Sequence, residues 1–275
     1  MKIYIITMED PVFTLDFFKD IIRHRSKDIA GIAIAKGGRL KSGKNRSKVK
    51  YLVSLLIIMG PYHFFKNGVI TITYKLRKRL TKFLKFIPDR SLAGFAKQYS
   101  IPVIYIDSPN KPSFLEHLSE IAPDVVINQS QHIIKKQLLE IPELGVLNRH
   151  NALLPKNRGR LTPFWVVYNG EKETGVTIHL VDEGIDSGPI VVQKQFKVEK
   201  NDTFNSIVRK NYEIASTAML EALTNLEDKT FQFSENNSDL ATYNTIPTLS
   251  QALSYRWRLI KRYFYKSSFN SISNK

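Results

Sequence analysis

GVLNRHNALLP, residues 145–155, carries an apolar run from Gly145 to Leu147 straight into Asn148, Arg149, His150 and Asn151, before Leu153 and Leu154 are stopped by Pro155. A short apolar run closed by polar residues reads as the end of a buried strand. Working outward, similar runs recur on the N-terminal side: KIYIIT (2–7), IAGIAIA (29–35), IPVIYID (101–107) and DVVINQ (124–129). Between them PVFTLDFFKDIIRH, SLAGFAKQYS, SFLEHLSEIA and IIKKQLLEI place apolar residues at helical spacing. On the C-terminal side GVTIHLV and VVQKQFKV are strands around a Gly/Pro-punctuated loop, DEGIDSGPI. A long amphipathic helix follows from about residue 201, with Asn201 or Asp202 as the expected N-cap. Continuous apolar runs separated by amphipathic helices predict an α/β, Rossmann-like fold with a mostly parallel sheet and helices on both faces. Ligands of such sheets sit beyond the carboxyl ends of the strands, which is where Asn148 and His150 fall.

Composition bounds the rest. The chain has 275 residues, 43% of them hydrophobic, enough for a sizeable core. It contains no cysteine, which excludes disulfides, thiolate metal sites and a cysteine nucleophile. MKIYIITMED turns acidic too soon for a secretory signal, so a cytoplasmic setting is expected. The net charge of +16 is unevenly placed. Residues 36–90 hold 15 Lys/Arg against one acid, Asp89, and so carry +14 of it. Basicity belongs to an insert rather than to the fold.

Phosphate-cradling glycine loops and an H-E-x-x-H helix are missing, and no pair of the six histidines has zinc-site spacing, so no metal is expected. What remains is Asn148, His150 and, in the last loop, Asp186. An imidazole passes protons near neutral pH, a carboxylate orients it, and an amide can hold a developing oxyanion. No Ser or Cys nucleophile pairs with the histidine, so the set suits transfer in which one substrate attacks another. A histidine after a strand is otherwise a structural residue, and an Asp in a Gly-rich loop a turn former. Residue types alone leave both readings open.

The stretch GVLNRHNALLPKNRG together with NGEKETGVTIHLVDEGIDSGPIVVQ resembles the formyltransferase family that uses 10-formyltetrahydrofolate. The matching elements are Asn148-x-His150, Leu153-Leu154-Pro155, Arg158-Gly159, Thr174-Gly175-x-Thr177 and Asp186-x-Gly188. The likeness is strong over about 145–195 and looser over 91–227. It implies that Asn148 holds the oxyanion, that His150 assists proton transfer, and that Asp186 orients His150 and helps move the proton. It gives His179 a supporting role. It also implies that His132, Ile133 and Ile134 flank the pterin of the donor, opposite the backbone of Asp182, Glu183 and the residues up to Asp186. Where many members carry Gly-Phe-Gly, this chain has Gln129, Ser130 and Gln131.

The acceptor follows by elimination among relatives. The first loop, TMEDPVF, lacks the Gly-Ser-rich phosphate loop of the glycinamide ribonucleotide enzymes, and 48 residues follow Glu227, where the methionyl-tRNA enzymes carry a barrel domain. The expectation is an amino sugar, nucleotide- or lipid-linked. The alternatives are a methionyl-tRNA formyltransferase-like enzyme lacking that barrel, or a folate-binding relative without transferase activity. Residues 1–227 are expected to form the catalytic domain, with the insert at 36–90, and 228–275 a C-terminal extension. Asp10, Pro11 and Phe13 are expected near the acceptor, or else Asp10 caps the following helix.

The insert pairs a basic stretch with the apolar run YLVSLLIIMGPYHFF, interrupted at Gly60-Pro61 and short of the roughly 20 residues that span a bilayer. YKLRKRLTKFLKF reads as an interfacial helix, and YRWRLIKRYFYK in the tail adds Trp, Tyr, Arg and Lys. Three readings stand: docking on a membrane surface through 36–90 and 255–266, packing of Leu52–Phe65 onto the sheet as a core helix with the charges solvated, and a basic patch that meets nucleic acid.

Overall fold

A computed structural model describes residues 1–37, 48–84 and 89–272. In chain order the elements are β1 (Ile3–Met8), α1 (Thr14–Arg25), β2 (Ile29–Ala35), α2 (Lys48–Met59), α3 (Pro61–Phe83), α4 (Leu92–Lys97), β3 (Val103–Ile106), α5 (Pro112–Ile121), β4 (Val125–Gln129), α6 (Lys136–Leu139) and β5 (Val146–His150). Then follow β6 (Arg158–Gly159), α7 (Thr162–Asn169), β7 (Glu173–Leu180), β8 (Ile190–Lys197), α8 (Phe204–Glu227), a 3₁₀ turn (Ser238–Leu240), β9 (Tyr243–Asn244) and α9 (Leu249–Ile272).

Seven strands form one sheet in the order β3-β2-β1-β4-β5-β7-β8. The first five are parallel, as the continuous apolar runs predict; β7 is antiparallel to β5, and β8 to β7. Successive side chains of a strand point to opposite faces. Ile3 and Ile5 of β1 therefore pack with Phe18 and Ile22 of α1 and Met219 of α8, while Tyr4 and Ile6 pack with Phe114 and Leu118 of α5. A third cluster lies off the sheet, where Ile58 of α2 meets Phe164 and Trp165 of α7, Phe204 of α8 and Tyr255 of α9.

Several expectations need correction. The N-cap of α8 is Thr203, in a reciprocal capping box with Ser206, not Asn201 or Asp202. Asp202 instead binds Lys210 Nζ at 2.6 Å and Ser206 Oγ at 2.8 Å. The helix expected over IIKKQLLEI shrinks to the single turn of α6. In the insert, the apolar run splits. α2 packs one side against α8 and α9 and leaves Val49, Leu52 and Val53 exposed, so the expected packing onto the sheet becomes a helix–helix contact for that half and fails for α3. The chain turns at Gly60, whose φ of +79° favours glycine. Pro61 then starts α3. The basic stretch at 38–47 lies outside the described residues.

Residues 236–244 are stitched onto the loop after β5. Arg158 is fully buried; its Nη2 donates to Asn236 O (3.0 Å) and Oδ1 (2.8 Å), and its Nη1 to Tyr243 OH (2.9 Å). Backbone bonds run from Arg158 N to Thr242 O and from Arg160 N to Asn244 O. Gly159, at φ +103°, sits where a Cβ would strike Asn244 O. Asn236 Nδ2 in turn donates to Asp186 O and Gly188 O, each at 2.9 Å. Replacing Arg158 by Met leaves these buried acceptors without donors, which costs about 1–3 kcal/mol for each one left unmet. Urea unfolding of R158M should show a loss of at least about 2 kcal/mol, and R158M combined with N236A should lose less than the two single losses added. Additive losses would show that the strap and the loop are energetically independent.

Candidate active site

The ends of β4, β5 and β7 bring the polar residues together. Register sets Asn128 beside Asn148 and Asn148 beside His179. Asn148 Oδ1 accepts from Gln129 Nε2 at 3.3 Å, and Asn148 Nδ2 meets His179 Nε2 at 3.3 Å. His179 Nδ1 lies 2.7 Å from Leu180 O. A carbonyl only accepts, so Nδ1 carries the proton and Nε2 is the acceptor that receives the Asn148 amide. The amide is thereby fixed from both ends, with a second N–H left to aim at the cleft. Gln129 is itself held, by Arg149 Nε on its Oε1 at 3.0 Å. Arg149 is stacked between Tyr212 (4.3 Å) and Phe17 (4.9 Å), and Tyr212 stacks on Phe13.

His150 is 5% exposed, and its Nε2 donates to Asn157 O at 2.8 Å. Its Nδ1 faces Asp186 Oδ2 at 3.4 Å, longer than a tight charge-assisted bond. Asp186 Oδ2 also accepts the Gly159 N–H at 2.8 Å. The connection between β7 and β8 thus folds back so that Asp186, at φ +50°, reaches the end of β5. Thr177 braces the loop beneath: its hydroxyl donates to Ala152 O (2.7 Å) and accepts from Leu154 N (3.1 Å).

Burial, and after it the charge of neighbouring His150, pushes His179 down to about 4. The ring is uncharged at neutral pH, so its 3.7 Å approach to Asp186 Oδ1 is not an ion pair there.

Asn148, His150 and Asp186 converge, with His179 behind them. The residues expected to flank a pterin divide. Ile133 is 85% exposed, whereas Ile134 is buried in the core with Tyr4 and Phe114. His132 Nε2 lies 3.1 Å from Lys36 O. Asp182 Oδ1 accepts from Gly184 N and Ser187 Oγ, shaping its own loop, and Glu183 is exposed. Ile185 in that loop is 63% exposed. Exposed Ile133 and Ile185 lie on the connections that leave β4 and β7, the two neighbours of β5. Asp10 Oδ1 accepts from Val12 N (2.7 Å) and Phe13 N (3.1 Å) in the turn before α1, so it shapes that turn and does not cap the helix, whose N-cap is Phe13. Three contributors escaped the sequence reading: Gln129, Asn157 and Asn236. Gln129 alone left a signal, as a polar residue that closes the apolar run of β4.

A family model described as formyl transferase matches residues 81–223, just over half the chain. The chain belongs to the formyl transferase family. It is 36% identical over 160 residues to a methionyl-tRNA formyltransferase of Kosmotoga olearia, covering 58% of this chain and 51% of that protein. It is 40% identical over 163 residues to the bifunctional polymyxin resistance protein ArnA of Wigglesworthia glossinidia brevipalpis, covering 56% of this chain and 25% of that protein. The chain spans about half the length of the methionyl-tRNA formyltransferases it matches. Among solved structures, an N-formyltransferase of Helicobacter canadensis, in complex with folinic acid and dTDP-3-aminofucose, superposes with TM-score 0.56 at 18% identity, covering 89% of this chain and 71% of that one. A glycinamide ribonucleotide transformylase of Symbiobacterium toebii gives TM-score 0.56 at 16% identity, covering 86% and 94%. These two likenesses show the fold.

A formyl transferase with His179 buried and neutral should carry a pH signature. Below about pH 6.5, the ordinary histidine value, the unfolded ring takes up a proton and the folded ring does not. Stability therefore falls as pH drops from about 6.5 and the loss levels off below about 4. Urea midpoints measured across that window should decline less steeply in His179→Gln than in the parent. Equal slopes would show that His179 is protonated in the fold.

Proposed function

We propose that this chain moves a formyl group from a 10-formyltetrahydrofolate donor to a primary amine, and that the amine belongs to an amino sugar. The observation that carries the reading is the meeting of the Asn148 amide, the His150 ring and the Asp186 carboxylate at one strand end. When bound, the donor supplies the formyl carbon and a nitrogen leaving group. Asn148, locked by Gln129 and neutral His179, aims its second N–H at the carbonyl oxygen, where negative charge grows as the amine attacks. His150, anchored by Asn157 O, places its Nδ1 edge beside the same centre. The proton released as the new C–N bond forms passes to the Asp186–His150 pair and on to the departing nitrogen as the old C–N bond breaks. Both reactants are held rather than covalently captured, so positioning supplies much of the rate. In this reading residues 1–227 are the catalytic domain, and 228–275 an extension whose strap holds the Arg158–Gly159 loop.

For the acceptor, one similarity supports a sugar amine: the fold shared with a structure holding dTDP-3-aminofucose. A small crevice of about 40 Å³ at the carboxyl end of β1, lined in part by Thr7, Glu9, Tyr74, Arg90 and Ser91, has room for one small polar group of the acceptor rather than a whole sugar. It lies two strands from Asn148, roughly 10 Å at the usual strand spacing. The relatives named methionyl-tRNA formyltransferase support a second reading, in which the amine is that of an aminoacyl-tRNA.

Purified protein, incubated with 10-formyltetrahydrofolate and a panel of nucleotide-linked amino sugars beside methionyl-tRNA, should formylate a sugar amine. Formylation of the tRNA alone would replace the sugar by the second reading, and no transfer to any amine would remove both. With the acceptor in hand, His150→Ala and Asp186→Asn should each cut kcat at least about 10²-fold with unfolding midpoints little changed. Asn148→Ala should lower kcat more than it weakens folate binding. Near-normal turnover in both H150A and D186N would overturn the mechanism.

A further inference from the structure

α3 is amphipathic the wrong way round. Tyr62, Phe65, Val69, Ile72, Leu76, Leu80 and Phe83 recur at steps of three and four, so they form one stripe along the helix. All seven face solvent, at 48–83% exposure. The opposite side carries hydrogen-bonding groups and is the side turned to the protein. Tyr74 OH donates to Glu9 Oε1 at 2.6 Å, and Lys78 Nζ binds both Glu9 oxygens at 2.5 and 2.7 Å. Burial and the Glu9 carboxylate raise the Tyr74 hydroxyl pKa. Lys78 also lies over the Tyr105 ring at 4.8 Å. This polar anchor fixes the roll of the helix and with it the outward direction of the stripe.

A water-facing stripe of this size is costly unless something covers it. Charge decides what. α3 holds six Lys/Arg and no Asp or Glu. At 100° per residue, exposed Lys66 falls on one flank of the stripe and exposed Lys75 and Arg79 on the other. A second copy seated stripe to stripe would bring two acid-free helices together, cation against cation. Nucleic acid would use the cations and leave the apolar ridge wet. An anionic bilayer surface satisfies both at once: the ridge enters the acyl boundary, and the flanking cations reach lipid phosphates. The helix is about 34 Å long and lies flat. Among the described residues no single helix is long and apolar enough to cross a membrane.

We propose that α3 is a membrane-surface docking helix whose partner is an anionic lipid bilayer. α9, packed on α2, carries a shorter exposed row of Leu249, Leu253, Trp257 and Ile260 that extends the apolar surface of the insert region. The same anchor that orients α3 has a second consequence. Tyr74 lines the cleft at the end of β1, beside Glu9, so the docking helix is also a wall of the crevice assigned above to the acceptor. An acceptor amine at a bilayer surface would meet the protein on that side. The docking itself rests on α3 alone and does not depend on the formyl-transfer reading.

Flotation tests it directly. The intact protein should float with vesicles of phosphatidylcholine and phosphatidylglycerol at low salt, less in 0.5 M salt, and little with phosphatidylcholine alone. The triple variant Phe65→Ser, Ile72→Ser, Leu76→Ser removes only exposed side chains. It should keep its unfolding midpoint and bind at least about tenfold more weakly. Lys66→Glu with Lys75→Glu and Arg79→Glu should abolish the preference for anionic lipid. The proposal is overturned if folded intact protein does not float at low salt, or if the serine variant floats as the parent does. It is equally overturned if the protein is an oligomer without lipid that the serine variant dissociates, which would make a second copy the occupant. None of these readouts measures transfer, so failure here and failure of the proposed reaction are separable.

Discussion

The candidate site depends on where one carboxylate is held. Asp186 takes a left-handed backbone, tolerated by Asp among the non-glycine residues, and its Oδ2 is tied to the Gly159 N–H while facing His150. Its carbonyl is tied in turn to Asn236. Three stretches far apart in the chain, the loop after β5, the β7–β8 connection and the strap near residue 236, therefore meet on one residue. Beyond the two-residue ladder of β6 and β9, they are irregular backbone. Arg158 binds the strap to the loop from beneath through neutral oxygens and the Tyr243 ring. Both Nη atoms of this buried guanidinium find their acceptors on the strap, while Nε finds none, so opening the strap would leave the whole group unmet.

The reversal of β7 does the second piece of organising. An antiparallel neighbour places His179 directly across from Asn148, and the carbonyl of Leu180 selects the tautomer that accepts the amide proton. Keeping that ring neutral by burial is what lets it serve as the acceptor of the Asn148 amide. On the other side of Asn148, Gln129 completes the lock. Both partners are side chains at strand ends, where the ladder stops and polar groups must find other company.

The insert follows different physics. α2 is apolar enough to be buried by α8 and α9, and Gly60 turns the chain out of that contact. α3 then spends its polar side on Glu9 and the sheet edge, which leaves the apolar side outward. A soluble helix normally does the reverse.

Strand and helix order, the parallel character of the sheet and the motif around Asn148, His150 and Asp186 were legible in the sequence, because apolar periodicity and short motifs are local. Local signals also placed the break at Gly60-Pro61 and the amphipathic character of the stretch beyond it. The sequence could not say that Ile134 belongs to the core while its neighbour Ile133 faces out, since adjacent residues of an irregular loop carry no period. Nor could it name Thr203 over Asn201 or Asp202, three polar residues in a row that are separated only by backbone geometry. Gln129, Asn157 and Asn236 act through partners between 7 and 78 positions away, and which face of α3 meets the protein was decided by Glu9, 65 residues before Tyr74. Pattern along the chain fixes what each segment is. Contacts between distant segments decide what each side chain faces, because burial and hydrogen-bond satisfaction are properties of the packed whole.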